Sequence, residues 1–241
     1  MWPFKSVKSL KASGIFEGFT DWHSHILPGV DDGIKTLDDS LKVLEAYEQL
    51  GFRKVWLTPH VMEDYPNSRE NLMPLFEELR NAWKGDVELA LASENMLDTA
   101  FESNLRDNTF LPIGDAGDHL LFETSYFTPP MEMEEMVEGI MKAGYFPILA
   151  HPERYRYMEK GDYEKWKGFG VKFQANLTSS VGAYGEQAMK KLDWLLEKGM
   201  VDLVGTDIHR LDSVLAWIEK SPKKSGSLEK LVDISSTHIS I

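Results

Sequence analysis

The 241-residue sequence contains no cysteine. That excludes a disulfide framework and any thiolate metal site, and makes a reducing cytoplasm the default expectation. No stretch approaches the roughly 18 uninterrupted apolar residues of a membrane span. The start, Met1-Trp2-Pro3-Phe4-Lys5, is too briefly apolar and too soon broken by lysine to read as a secretory signal. Positive charge is scarce: 26 Lys and Arg stand against 39 Asp and Glu, a formal charge of −13. A nucleic-acid binder normally presents a basic face, so general nucleic-acid binding is disfavoured. The same deficit suits a phosphorylated substrate only if bound cations reverse the local field, and divalent ions are often the largest charges in a site. Internal repeats and low-complexity segments are also missing. With 42% apolar and 27% charged residues, the composition is that of an ordinary globular protein.

What is present is an alternation. Apolar, strand-like runs fall near 16–22, 53–58, 86–92, 119–123, 145–150, 171–174 and 201–205. Helix-like segments fall near 38–50, 70–84, 97–106, 131–143, 162–168, 185–198 and 212–219. Asp38 or Asp39, and Ser68, are plausible helix starts. Gly51, Gly144 and Gly199 stand where helices should stop, each followed by a new apolar run. Helix, glycine and strand in succession imply a mostly parallel α/β sheet. Seven strand candidates predict a (β/α)7 TIM-like barrel over residues 14–220, with a doubly wound sheet as the other arrangement. Residues 1–13, which carry Lys5, Lys8 and Lys11, read as a flexible basic lead-in. Residues 221–241 read as a tail, a loop followed by a short helix.

In barrels of this kind the active site lies at the C-terminal ends of the strands. The first run ends in Asp21-Trp22-His23-Ser24-His25, and Asp31-Asp32-Gly33 follows shortly after. Residues two apart on a strand share a face, so His23 and His25 project side by side. The next four runs end in His60, Glu94, Glu123 and His151, the sixth near Gln174 and Asn176, and the last in Asp207 and His209. Five of the seven histidines sit at such ends; His119 and His238 do not. Ionisable groups at the rim of an apolar barrel are unfavourable unless paired or ligated. His23, His25, Asp32, His60, Glu94, Glu123, His151, Asp207 and His209 make nine candidate ligands with no sulfur among them. Such a set suits manganese, iron or zinc in a hydrolytic role. It is too large for one ion and sufficient for two or three sharing a bridging carboxylate. A cluster of that kind generates hydroxide at neutral pH and clamps the oxygens of a phosphoryl group in transfer.

Together these residues resemble the polymerase and histidinol phosphatase (PHP) superfamily of metal-dependent phosphoesterases. The likeness runs from about Phe19 to Arg210. It is strongest to the branch of bacterial tyrosine-protein phosphatases encoded with capsular and exopolysaccharide genes. The stretches that carry it are Asp21 through Gly33, Thr58-Pro59-His60, Ala150-His151-Pro152-Glu153-Arg154-Tyr155 and Gly205-Thr206-Asp207-Ile208-His209. Asp32 marks the branch, since general PHP members tend to have another histidine there. The resemblance implies a distorted seven-stranded barrel holding three ions, often manganese. By position, one ion takes His23, His25, Glu94 and Asp207; a second shares Glu94 and adds Glu123 and His151; a third takes Asp32, His60 and His209. It further implies that Arg154 binds the phosphate, that hydroxide attacks phosphorus in line, and that Asp207 or His209 assists proton transfer. The implied substrate is a phosphotyrosine protein, an autophosphorylated tyrosine kinase of polysaccharide export, and the implied association is with a membrane-bound kinase.

Two positions depart from the branch pattern. Arg210 directly follows His209 where relatives often place a phosphate-binding arginine further on, and Asn95 follows Glu94 where relatives commonly have an aromatic. Tyr126, Phe127, Pro129 and Pro130 after the fourth run, and Tyr155 and Tyr157 after Arg154, read either as walls for a substrate ring or as ordinary rim packing. Glu132, Glu134, Glu135 and Glu138 read as a solvated helix face, and Trp166, Trp194 and Trp217 as helix-to-barrel packing. The rival functions are a small-molecule phosphatase of the histidinol-phosphate type and a binding module that keeps the barrel without catalysis.

Overall fold

A computed structural model describes residues 7–236. The parts of the expected lead-in and tail at 1–6 and 237–241, His238 included, lie outside the described residues. The order is β1 (Thr20–Ser24), α1 (Leu37–Leu50), β2 (Lys54–Leu57), β3 (His60–Val61), α2 (Arg69–Ala82), β4 (Glu88–Leu91), β5 (Glu94–Met96), α3 (Phe101–Arg106) and β6 (His119–Glu123). Then follow α4 (Met133–Lys142), β7 (Phe146–Ala150), α5 (Lys160–Gly168), β8 (Lys172–Asn176), α6 (Gly185–Glu197), β9 (Leu203–Gly205), α7 (Leu211–Ile218) and α8 (Ser225–Ser236).

Every named strand pairing is parallel, in two sheets ordered β1-β2-β4 and β3-β5-β6-β7-β8-β9. The doubly wound alternative is set aside because the ends meet: the His25 amide donates to the Ile208 carbonyl at 3.0 Å and the Asp207 amide to the His23 carbonyl at 2.8 Å. Nine strand segments are described rather than the seven runs read from the sequence. The second run breaks at Thr58-Pro59, where proline offers no N–H to the ladder, and the third at Ala92-Ser93. Both breaks come just before a site residue, His60 and Glu94.

Local chemistry explains the helix limits. Thr36, not Asp38 or Asp39, caps α1, its hydroxyl accepting the Asp39 amide at 3.2 Å. Asp38 and Asp39 instead fill the first turn, where the helix dipole favours negative charge. Ser68 caps α2 in a reciprocal box with Asn71. Gly51 ends α1 at φ 98°, a left-handed conformation that side chains disfavour. A small interior cluster, Trp56, Ala92, Ile113, Leu121, Ile148, Ala150 and Leu203, is separate from the larger core between strands and helices. Leu121 lies two residues before Glu123 on β6, on the same face, so the ligand layer rests on an apolar floor.

Both chain ends are tied to the barrel within the described residues. Leu10 is fully buried and its amide donates to the Lys220 carbonyl at 3.0 Å. α8 occupies part of the expected tail and buries Leu228 and Leu231, contacting α6 and β9. An apolar residue every three or four positions gave α8 a face to dock.

Candidate metal centre

The nine predicted residues converge at the rim where the strands end. His23 Nε2 lies 3.1 Å from His25 Nε2, 3.1 Å from Glu94 Oε2 and 3.6 Å from Asp207 Oδ1. His25 Nε2 is 3.3 Å from the same Glu94 oxygen and 3.4 Å from Asp207 Oδ1. The other Glu94 oxygen is 2.9 Å from His151 Nε2, which is 3.7 Å from Glu123 Oε2. Glu94 thus faces two neighbouring clusters with one carboxylate. Asp32 Oδ1, at the exposed end, lies 3.4 Å from His60 Nε2 and 3.3 Å from His209 Nε2. His60 also turns Nδ1 inward, 3.1 Å from Glu94 and 3.0 Å from Glu123. His25 stacks on His209 at 4.0 Å between centroids, so it belongs to the outer cluster as well as the inner one.

The backbone is bent to achieve this. His151 (φ 33°) and Asp207 (φ 52°) are two of the three non-glycine residues with positive φ among the described residues. Such conformations are unfavourable by about 1–3 kcal/mol each and persist where surroundings impose them. Two glycines lie beneath the paired histidines. A Cβ on Gly33 would meet the His25 carbonyl oxygen at 2.3 Å, and one on Gly205 would meet His23 Cβ at 2.6 Å.

A second layer fixes the ligands, and it was largely missed from the sequence. Gln174 Oε1 holds His23 Nδ1 at 2.7 Å. Asp31 Oδ2 holds His25 Nδ1 at 2.8 Å and accepts the His60 amide at 3.0 Å. Asp21 accepts the Thr206 amide at 2.8 Å and its hydroxyl at 2.6 Å, which stitches the seam between β1 and β9. Ring nitrogens facing away from a ligand site are commonly held in this manner.

The electrostatics and the unpaired atoms test whether cations fit. Burial opposes charge on His23, but Glu94 and Asp207 outweigh it and raise its pKa. Burial and His60 oppose charge on His25, yet Asp31 and Asp207 raise it well above the usual value. Burial likewise opposes charge on His60, which Glu94, Asp32 and Glu123 raise strongly. Burial of Glu94 and Asp207 is outweighed by the histidines, which hold both well below the carboxylate range. Even so, His60 Nδ1, Glu94 Oε2 and Glu123 Oε1 are buried without a hydrogen-bond partner, the nitrogen 3.1 Å and 3.0 Å from the two oxygens. Buried polar atoms are rarely left so. Divalent cations held among these groups would satisfy such atoms, and the nitrogen–oxygen donor set suits manganese, iron or zinc.

A cavity of about 530 Å³ opens on this rim, lined among others by Asp32, His60, His151, Asp207, His209, Tyr126 and Arg154. The Arg154 guanidinium lies between two aromatic faces, 4.3 Å from the Tyr126 ring and 4.2 Å from the Tyr184 ring. Its Nη1 donates to Asp207 Oδ2 at 2.7 Å, an oxygen that also accepts from Asn176 at 2.7 Å and from the Tyr184 hydroxyl at 3.2 Å. Arg210 is exposed at the same cavity wall. Tyr155 does not line the cavity: it is fully buried, stacks 6.0 Å behind Tyr126, and its hydroxyl accepts the Thr124 amide. Asn95 also misses the cavity, since it follows Glu94 on β5 and therefore points the other way; its amide donates to the Ser93 and Leu121 carbonyls. Trp217, expected as packing, lines the cavity mouth. Tyr184 and Thr178 line it too, Thr178 from a short 3-10 turn at Leu177–Val181 after β8 and Tyr184 from the start of α6; neither was singled out from the sequence.

Fold and rim together define a parallel α/β barrel with a histidine–carboxylate centre at the strand ends. The chain belongs to the CpsB/CapC family, described as capsular polysaccharide synthesis, whose family model matches residues 19–224. It is 27% identical over 201 residues to the tyrosine-protein phosphatase YwqE of Bacillus subtilis (strain 168), covering 79% of this chain and 77% of the relative. It is 27% identical over 221 residues to the tyrosine-protein phosphatase CpsB of Streptococcus pneumoniae, covering 83% and 87%. Among solved structures, the one described with YwqE and CpsB as unique metal-dependent tyrosine phosphatases superposes with a TM-score of 0.73 at 22% identity, covering 90% of this chain and 95% of that one. The lactonase Lmo2620 of Listeria monocytogenes shares the fold with a TM-score of 0.53 at 12% identity, covering 95% of each chain.

Proposed function

We propose that this protein is a metal-dependent protein-tyrosine phosphatase whose substrate is an autophosphorylated tyrosine kinase controlling capsular or exopolysaccharide synthesis. The observation that carries the reading is the convergence of nine His, Asp and Glu side chains at one rim, five of which line a cavity together with Arg154. Family membership supports the pathway, and the naming of YwqE and CpsB as tyrosine-protein phosphatases supports the activity. His23, His25, Glu94 and Asp207 would hold one ion, Glu94, Glu123 and His151 a second, and Asp32, His60 and His209 a third, with manganese foremost. When bound, such ions supply Lewis-acid charge to the phosphoryl oxygens and acidify the attacking water.

The chain's own residues do the rest. Arg154 offers a flat fork of N–H donors to phosphate oxygens, pre-set by its two tyrosine neighbours. Tyr126, with Arg154 on one face and Tyr155 behind the other, presents an apolar edge to the cavity for the substrate ring. Asp207 and His209 stand at the wall where a proton passes to or from a reacting oxygen. The tyrosine leaves as a phenol of pKa about 10, so little acid assistance is required. No helix among the described residues is long and apolar enough to cross a membrane, so in this reading a membrane-bound kinase brings the substrate.

The manganese-loaded protein is expected to hydrolyse aryl phosphates and phosphotyrosine peptides, and to turn over histidinol phosphate far more slowly. Inactivity on both aryl substrates with manganese, iron and zinc would overturn the reading; preference for histidinol phosphate would transfer it to the small-molecule type.

A further inference from the structure

A second groove of about 510 Å³ adjoins the metal cavity, and the two share Asp32, His209 and Arg210 as walls. The partition between them is α7. Ser213, Val214 and Trp217, three and four apart, face the metal cavity. Leu211 and Leu215, also four apart, face the groove together with Ile34 and Val43. Leu215 is 38% exposed, one of five large hydrophobics left open among the described residues. Lys35, Lys42 and Arg210 edge the same groove and are matched there by Asp32, Asp39 and Asp212. Lys42 is already paired with Asp39 at 2.8 Å, so the groove offers chiefly an apolar strip that begins at the reacting centre.

We infer that this groove is a substrate subsite: it receives an apolar side chain flanking the phosphotyrosine of a protein substrate, against Leu211 and Leu215. The inference rests on the phosphotyrosine reading of the neighbouring cavity. A peptide whose phosphotyrosine enters that cavity must leave across its rim, and the shared wall of Asp32, His209 and Arg210 leads directly into the groove. A free amino acid or small aryl phosphate never reaches it. The groove therefore discriminates between peptides without touching the chemistry.

The test uses the full-length manganese-loaded protein and a set of phosphotyrosine peptides in which each flanking position is leucine or serine. At one or more positions, leucine is expected to raise kcat/KM about tenfold over serine, chiefly through KM, the usual worth of an apolar contact in a pocket. Leu215→Glu, a substitution at an exposed position, is expected to abolish that preference while leaving p-nitrophenyl phosphate turnover unchanged. Leu215→Met, which keeps the apolar strip, is expected to retain it. No leucine preference at any position, or one that survives Leu215→Glu intact, would overturn the subsite. Loss of p-nitrophenyl phosphate turnover in the unsubstituted protein would instead strike at the phosphatase reading itself, so the two failures are distinguishable.

Discussion

At the scale of single residues, protonation decides how the centre takes up metal. His23, His25 and His60 all have pKa values raised above the usual 6.5 by carboxylates that outweigh burial. Metal displaces protons from imidazole, so affinity falls wherever the imidazoles hold protons. Because the shifts are upward, the fall is expected to begin above pH 6.5 and to steepen below it. Apparent Kd for manganese measured between about pH 6 and 9 checks this, with proton release read by calorimetry in two buffers; an affinity flat down to pH 6.5 would contradict it. Gln174 bears on the same site without being a ligand. Gln174→Ala is expected to lower metal affinity about 10- to 100-fold by freeing the His23 ring, measured by metal titration. Arg154→Ala is expected to raise KM with ligands and metal content intact, whereas Asp207→Ala is expected to abolish turnover. The candidate ligands other than Asp32 are legible in the sequence because each is an ionisable residue set at the end of an apolar run; Asp32 lies in the loop beyond His25. Gln174 and Asp31 were not assigned, because what defines their role is a contact made in space; Gln174 meets His23 across 151 positions.

At the scale of elements, the rim is made by interrupting regular structure. The run 53–58 reads as one strand, but Pro59 breaks its ladder, and His60 resumes as β3 against β5. Interrupted strands retain the apolar pattern of continuous ones, so the breaks at 58–59 and 92–93 were invisible in periodicity alone. Gly51, Gly144 and Gly199 read as helix stops, and Gly33 and Gly205 only as members of motif stretches. Gly33 and Gly205 have a different task, since their missing side chains leave room for His25 and His23. Gly33→Ala sets a methyl against backbone and Asp31 as well as the His25 ring's own Cβ, none of which is a flexible tip. The expected result is a folded but less stable protein that retains under half its metal, read by thermal melting and by metal analysis of the same sample. Unchanged metal content in Gly33→Ala would show that the loop tolerates the shift and that His25 is placed by other contacts. The aromatic clamp is the parallel case on the substrate side. Tyr184→Phe removes one hydrogen bond to Asp207 and keeps the face against Arg154. It is expected to lower kcat/KM only severalfold, while Tyr184→Ala lowers it further, mainly in KM.

At the scale of the whole molecule, the barrel, its parallel sense and the end that carries the site followed from alternation and from where the ionisable residues fell. The docking of Leu10 and α8 did not, because short amphipathic stretches near a chain end carry no mark of what they pack against. The energetic centre of the molecule is the ligand cluster itself. Without cations, the barrel must bury carboxylates and imidazoles at mutual distances near 3 Å, some of them unpaired. Anything that binds the folded chain and not the unfolded one stabilises it by mass action, about 4 kcal/mol at a thousand times Kd. For a chain of this length that corresponds to a rise in Tm on the order of 10 °C. Chelation is therefore expected to lower Tm by that order, reversibly on return of manganese. The sign of the pH dependence follows from the histidines. Imidazoles with raised pKa contribute their stability in the metal-free fold below about pH 6.5, and lose it as pH rises through their folded values. Metal affinity moves the opposite way, growing as those protons leave. The gap in Tm between loaded and chelated protein is thus expected to widen from about pH 6.5 upward, and paired melting curves across that range measure it. A gap that stays flat with rising pH would mean that the imidazoles are neutral in the metal-free fold. The carboxylates would then be the groups whose repulsion the cations relieve.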